Sequence, residues 1–175
     1  MRAALLCATL LAAAPAQAAV KSSSPNAFEI EHRVQLVVPP EVAYRALGQV
    51  SSWWSPDHTY SGDASRLSLD LRAGGCFCER LDNGGGVEHM RAAYVEPGKR
   101  VVLTGSLGPL LYEATAGVMD WRVEKIAGGS ALVMNYRAAG FANGNAAKLA
   151  PAVDQVLGEQ MKRLRVFATE SNKRS

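Results

Sequence analysis

Four places in this 175-residue sequence carry side chains able to do chemistry: Glu88-His89, Cys76 with Cys78, Asp57-His58, and His32. Glu88 and His89 are the right types for an acid–base pair. Neighbours in an extended strand point to opposite faces, however, so the two converge on one substrate only if a bulge intervenes. On strand parity Glu88 shares a face with Met90, and His89 shares one with Val87 and Arg91. One of the pair is then a candidate polar anchor that positions a ligand. Cys76 and Cys78 are alternate strand residues, so both leave the same face with Cα atoms roughly 6.6 Å apart. That spacing suits a disulfide only with a local bend. Buried thiols and a metal site completed by His58, His89 or Glu88 are the other readings, and a lone Cys-x-Cys does not choose among the three. Asp57 follows Pro56 and suits a turn start better than the orientation of His58 as a base. His32, on an apolar strand face, reads as a hydrogen-bonded core histidine.

No serine elbow, glycine-rich phosphate loop or paired-carboxylate motif appears, so no catalytic residue, metal or cofactor is assigned. The formal net charge is only +3, and the basic residues are interspersed with acidic ones, which argues against a nucleic-acid partner. The densest basic group, Lys162, Arg163, Arg165, Lys173 and Arg174, fits a solvated helix face near the negative end of a helix dipole.

The chain opens as an address. Met1-Arg2 is followed by the apolar run Ala3 to Ala14, a break at Pro15, and the small-x-small pattern Ala16-Gln17-Ala18. This predicts a signal peptide over 1–18 cut after Ala18, and a periplasmic or secreted protein. The run is too short to span a bilayer of about 30 Å, so no stable membrane insertion is expected after cleavage. Residues 19–26 read as a flexible segment, 27–169 as one domain and 170–175 as a disordered tail.

Stepping through the domain, Phe28 to Val38 alternates apolar and polar residues as a half-buried strand does. Pro39-Pro40-Glu41 opens a short helix, and a second helical turn falls near Ser51 to Trp54. Six more strands are predicted at Arg66 to Leu71, Cys76 to Leu81, Val87 to Val95, Arg100 to Gly105, Gly117 to Lys125 and Ala131 to Arg137, separated by glycine-rich breakers. A long final helix runs from about Ala147 to Thr169, its apolar residues spaced by three and four.

Three motifs sit on this order: Trp53-Trp54 before the second strand, Gly74-Gly75-Cys76-Phe77 at the third, and Pro97-Gly98-Lys99-Arg100-Val101 before the fifth. In these the chain resembles the SRPBCC, or START-like, superfamily, and most of all its branch related to the activator of the heat-shock-protein-90 ATPase. The resemblance covers about residues 27–169. It implies an α+β helix-grip fold: a curved seven-stranded antiparallel sheet around a long C-terminal helix, with two short helices after the first strand and a cavity between sheet and helix.

On that fold, Met119, Trp121, Met134 and Tyr136 point inward from the last two strands. Leu157 and Met161 face them from the helix, and Trp54, Tyr60 and Phe141 stand near the mouth. With Glu88 and Met90 these form the expected ligand-binding set. Adaptable Met and aromatic side chains with a few polar tips suit an apolar pocket. The expected function is an exported protein that encloses a small or medium hydrophobic molecule without chemistry. A cyclase- or hydrolase-like enzyme in the same cavity, using Glu88 or His89 with Tyr136, is the alternative. Regulation of a chaperone ATPase follows from the resemblance alone, and export argues against it.

Overall fold

A computed structural model of the chain describes residues 19–173. The predicted signal peptide, Cys7 within it, and Arg174 and Ser175 lie outside the described residues. The chain order is β1 (Ala19–Ser24), β2 (Ala27–Leu36), α1 (Pro40–Gly48), β3 (Leu67–Leu69), β4 (Cys76–Arg80), β5 (Gly86–Glu96), β6 (Arg100–Gly105), β7 (Ala116–Ile126), β8 (Gly129–Ala139) and α2 (Ala146–Lys173). Short 3-10 segments at Val50–Ser52, Pro56–His58, Ala64–Arg66 and Gly108–Glu113 join them. All eight strands form one antiparallel sheet in the order β1-β2-β8-β7-β6-β5-β4-β3. With the long C-terminal helix lying on it, this is an α+β architecture consistent with the helix grip.

The strand count is eight, not seven. Ala19–Ser24, expected to be flexible, pairs antiparallel with β2 through a bulge between Val20 and Ser22. Its residues show no apolar alternation because the pairing rests on backbone hydrogen bonds to the free edge of β2, helped by a Lys21–Glu31 ion pair at 3.4 Å. The last helix likewise continues to Lys173, through most of the predicted tail. Adding a residue to an existing helix costs little, and a cation at the C-terminus suits the helix dipole.

The core lies between the sheet and α2, whose buried stripe includes Leu157, Met161, Leu164 and Ala168. Two aromatic clusters fill it. Trp53 packs on Trp54 and Trp121 with ring centroids 5.6 and 6.4 Å apart, and Trp54 meets Phe77 edge-on at 5.4 Å. Further along, Phe28 packs on Tyr136 and Phe141 at 5.9 and 5.5 Å. Polar contacts seat the Trp-Trp turn on the helix. The buried Gln160 Oε1 accepts from the Ser55 amide at 2.8 Å, and Arg163 Nε donates to the Trp53 carbonyl at 2.8 Å. Trp53 Nε1 in turn donates to the Ala46 carbonyl of α1 at 2.9 Å, so one aromatic pair ties both helices to the sheet.

Candidate functional site

The sheet is least regular where β4 meets β5. Phe77 pairs with Met90 but Cys78 pairs with Glu88, so His89 is the extra residue of a β-bulge. The bulge breaks strand parity: His89 and Met90 are adjacent in sequence and both buried, while Glu88 stays exposed on the outer face. Gly105 of β6 makes room for this departure. Its φ is +146°, and a Cβ there would lie 2.8 Å from the His89 carbonyl oxygen.

Turned inward, His89 meets Glu79 of β4, with Nε2 and Oε2 3.1 Å apart. Both are buried, at 5% and 1% exposure. The backbone amides of Tyr60 and Ser61 donate to the same carboxylate at 3.1 and 2.5 Å. Burial works to raise the Glu79 pKa, but the hydrogen bonds from Ser61, Tyr60 and His89 together outweigh it and hold the carboxyl below its ordinary value. Burial also lowers the His89 pKa, against the pull of Glu79, so the ring is neutral at pH 7. An ionised carboxylate only accepts hydrogen bonds, so the hydrogen of the neutral ring is assigned to Nε2. His89 Nδ1 is buried and has no hydrogen-bond partner. The ring is held between Tyr60 and Phe77, with centroids 5.9 and 5.1 Å away.

His89 forms part of the wall of a cavity of about 500 Å³. The cavity is bounded by the sheet at Phe77 and His89, by Leu149, Val153, Val156 and Leu157 of α2, by the loop from Asp57 to Tyr60, and by a strap from Leu107 to Glu113. The lining is mostly apolar. Gly108 near the start of the strap and Ala114 just after it adopt left-handed conformations, at φ +57° and +54°. The middle of the strap and its C-terminal end are tied down: Thr115 Oγ1 donates to the Leu110 carbonyl at 3.2 Å, and Asn145 Nδ2 donates to Glu113 at 3.3 Å. At the rim, Trp54 Nε1 donates to the His58 carbonyl at 2.9 Å, and His58 lies 3.4 Å from Glu159 of α2.

Of the residues expected to bind ligand, Trp54, Tyr60 and Leu157 line this cavity. Met90, Met119, Trp121, Met134, Tyr136, Phe141 and Met161 do not; each is 3% exposed or less and packs in the core. α2 packs most closely on β2, β1 and α1, and the two aromatic clusters fill the space beneath β7 and β8, so the cavity is displaced towards β4, β5 and the start of α2. Burial pushes the Tyr136 phenol to about 12, which makes it a poor proton carrier at neutral pH. Glu88 is taken by an ion pair with Arg91 on the outer face and cannot reach the cavity.

Glu79 and the strap were missed. Glu79 had a signal: it shares parity with the apolar Phe77, so a carboxylate was due on the inner face. The strap, Leu107 to Glu113, carries no periodicity. Its placement comes from tertiary contacts.

The cysteine alternatives resolve to a disulfide between Cys76 and Cys78, with Cα atoms 5.3 Å apart. The register shift between Phe77 and Cys78 supplies the local bend that an even strand lacks. Ligand atoms of Cys76, Cys78 and Glu88 lie within 4.8 Å of one another. Sulfurs bonded to each other have no thiolate to offer, and Glu88 is held by Arg91, so these residues do not fit a metal in this state. His32 lies apart from the cavity beneath α2, 2.9 Å from Asp154 but not aligned for a hydrogen bond.

No family model and no curated protein matches this sequence. Solved structures do share its fold. A protein of unknown function from Staphylococcus aureus is 16% identical over 84% of this chain and 96% of its own, with a TM-score of 0.60. A protein from Chromobacterium violaceum is 17% identical over 81% and 96%, with a TM-score of 0.57. The di-domain ARO/CYC StfQ from the steffimycin biosynthetic pathway is 15% identical over 85% of this chain and 53% of its own, also at 0.57. At such identities the likeness is one of fold, and it is consistent with a START-like helix grip.

Proposed function

We propose that this protein encloses a small or medium-sized apolar molecule in the cavity between the sheet and α2, and that it is a member of the SRPBCC superfamily close to the branch related to the heat-shock-protein-90 ATPase activator. One observation carries the binding reading: a cavity of about 500 Å³, within the range of small-molecule sites, walled by Trp54, Phe77, Leu110, Val153 and Leu157 with few polar groups. The superfamily assignment rests on Trp53-Trp54, Gly74-Gly75-Cys76-Phe77 and Pro97-Gly98. Export to the periplasm or beyond rests on the leader-like first eighteen residues, and it disfavours regulation of a cytoplasmic ATPase. A second reading, a cyclase- or hydrolase-like enzyme in the same cavity, draws on the buried Glu79–His89 pair and on the fold shared with the ARO/CYC protein. Proton transfer would then fall to His89.

Titration with the apolar fluorophore N-phenyl-1-naphthylamine tests the binding reading. Saturable, blue-shifted emission is expected, and Val153→Trp, which fills the cavity from the half-buried face of α2, should weaken it at least tenfold with the fold intact. Absence of saturable binding, or equal affinity in the variant, refutes the cavity as the site.

A further inference from the structure

We propose that the ligand of this cavity is an apolar molecule carrying a hydroxyl group, and that His89 Nδ1 accepts the hydrogen bond from that hydroxyl. The proposal rests on the binding reading above and adds the chemical class of the ligand. Three features of the wall lead to it.

The first is the division of labour around the imidazole. Glu79 is committed to two backbone amides and to His89 Nε2, so it fixes which ring nitrogen carries hydrogen. The other nitrogen is left as a lone pair, an acceptor and not a donor. The second is that this acceptor is orphaned. Nδ1 has no partner in a side chain 95% buried, and an unmade hydrogen bond at a buried polar atom is costly. The ring cannot turn to find a partner, because it is flanked by Tyr60 and Phe77 and rotation would break the contact with Glu79. The third is location. The orphaned atom belongs to a residue of the cavity wall, and the surrounding surface is mostly apolar. A buried, unpartnered acceptor in a mostly apolar wall favours a ligand with a matching donor over its donor-free analogue.

Nδ1 is sealed from water, so a hydroxyl reaches it only as a flanking side chain yields. Phe77 is 3% exposed and locked between Trp54 and the ring, whereas Tyr60 is 40% exposed on its loop. Under the proposal Tyr60, the more exposed of the two, is the side chain that yields. Its phenol adjoins that of Tyr112 on the strap, so loop and strap meet over the route to His89.

The test uses a matched pair of probes, 2-naphthol and 2-methoxynaphthalene. They share an apolar body, and the ether retains an acceptor oxygen but lacks the donor. The protein should bind 2-naphthol about tenfold or more tighter. In His89→Phe, which leaves Glu79 with both backbone amides, the preference should fall to within about twofold. Nitrogen-15 NMR of the unaltered protein provides a reading independent of any variant. His89 should show the Nε2–H form, and the Nδ1 signal should move with 2-naphthol but not with the ether. Equal affinities for the two probes, or an Nδ1–H form, overturn the proposal while leaving the cavity reading standing. Binding of neither probe overturns both.

Discussion

The molecule contains two buried histidine–carboxylate pairs built from the same chemistry, and they differ in what surrounds them. Glu79 is enclosed and held by two backbone amides, and its histidine sits on a bulge in the wall of a cavity. Asp154 is 17% exposed on α2, and its histidine lies in a regular strand beneath the helix. There Gly158 provides the clearance: a Cβ would lie 3.0 Å from His32 Cε1. Both histidines have pKa values lowered by burial, so titration alone does not separate them. Supporting hydrogen bonds and access to a cavity do. The Glu79 pair borders a cavity, and the Asp154 pair is a point of packing between helix and sheet.

The largest expected effect comes from breaking the Glu79 pair, set against breaking the His32 pair. Glu79→Ala strands two amides and the His89 Nε2 hydrogen in a buried place, and should cost about 3–5 kcal/mol in urea unfolding. His32→Leu leaves Asp154 able to turn to water, and should cost about 1 kcal/mol or less. Similar losses from the two would erase the distinction.

Acid provides a middle-sized effect. Each histidine binds its proton more weakly in the folded than in the unfolded chain, whose ordinary value is 6.5. Their contributions are therefore complete above pH 6.5 and decline as pH falls below it towards the lowered folded values, by at most about 1.4 kcal/mol per pH unit for each. His32→Leu and His89→Phe should each flatten the slope of stability against pH between 7 and 5. An unchanged slope in either variant means that histidine titrates as it does in the unfolded chain. Glu79 adds loss in the same direction at more acid pH, below 4.5.

A much smaller effect than that of Glu79→Ala is expected from reducing Cys76–Cys78. The bridge closes a loop of three residues, for which chain entropy gives only about 1.6 kcal/mol, or a fall of about 3–6 °C in Tm. Reductant or Cys78→Ala should produce that shift in thermal unfolding. A fall as large as that of Glu79→Ala would mean that the bridge on the outer face supports the bulge that turns His89 inward.

Sequence alone reveals the regular parts and loses the irregular ones, for physical reasons. Alternation from Phe28 to Val38 and the spacing of Leu157, Met161 and Leu164 are consequences of burial on one face, so they locate β2 and α2. The sheet edge at Ala19–Ser24 buries little apolar surface and leaves no such trace. His89 is legible as chemistry but not as placement, since a bulge inverts parity from one residue onwards. Glu79 lies hidden between Cys78 and Arg80 in a strand whose cysteines attract attention to the opposite face. Met119, Trp121 and Met134 are assigned correctly to the interior, yet an inward direction does not tell packing from pocket.

The order of the strands also has a bearing on how the chain assembles. β2 lies between β1 and β8, with Leu36 opposite Ser130 and Ala27 opposite Ala139. Most of the domain must therefore be available before β2 acquires its inner neighbour, whereas the β4–β5 and β7–β8 hairpins close locally. Long-range closure of this kind slows folding towards the millisecond-to-second range. The bulge bearing His89 belongs to an early hairpin, and the wall opposite it belongs to α2, the last element of the described chain. On this order His89 is placed before the helix that closes the cavity over it.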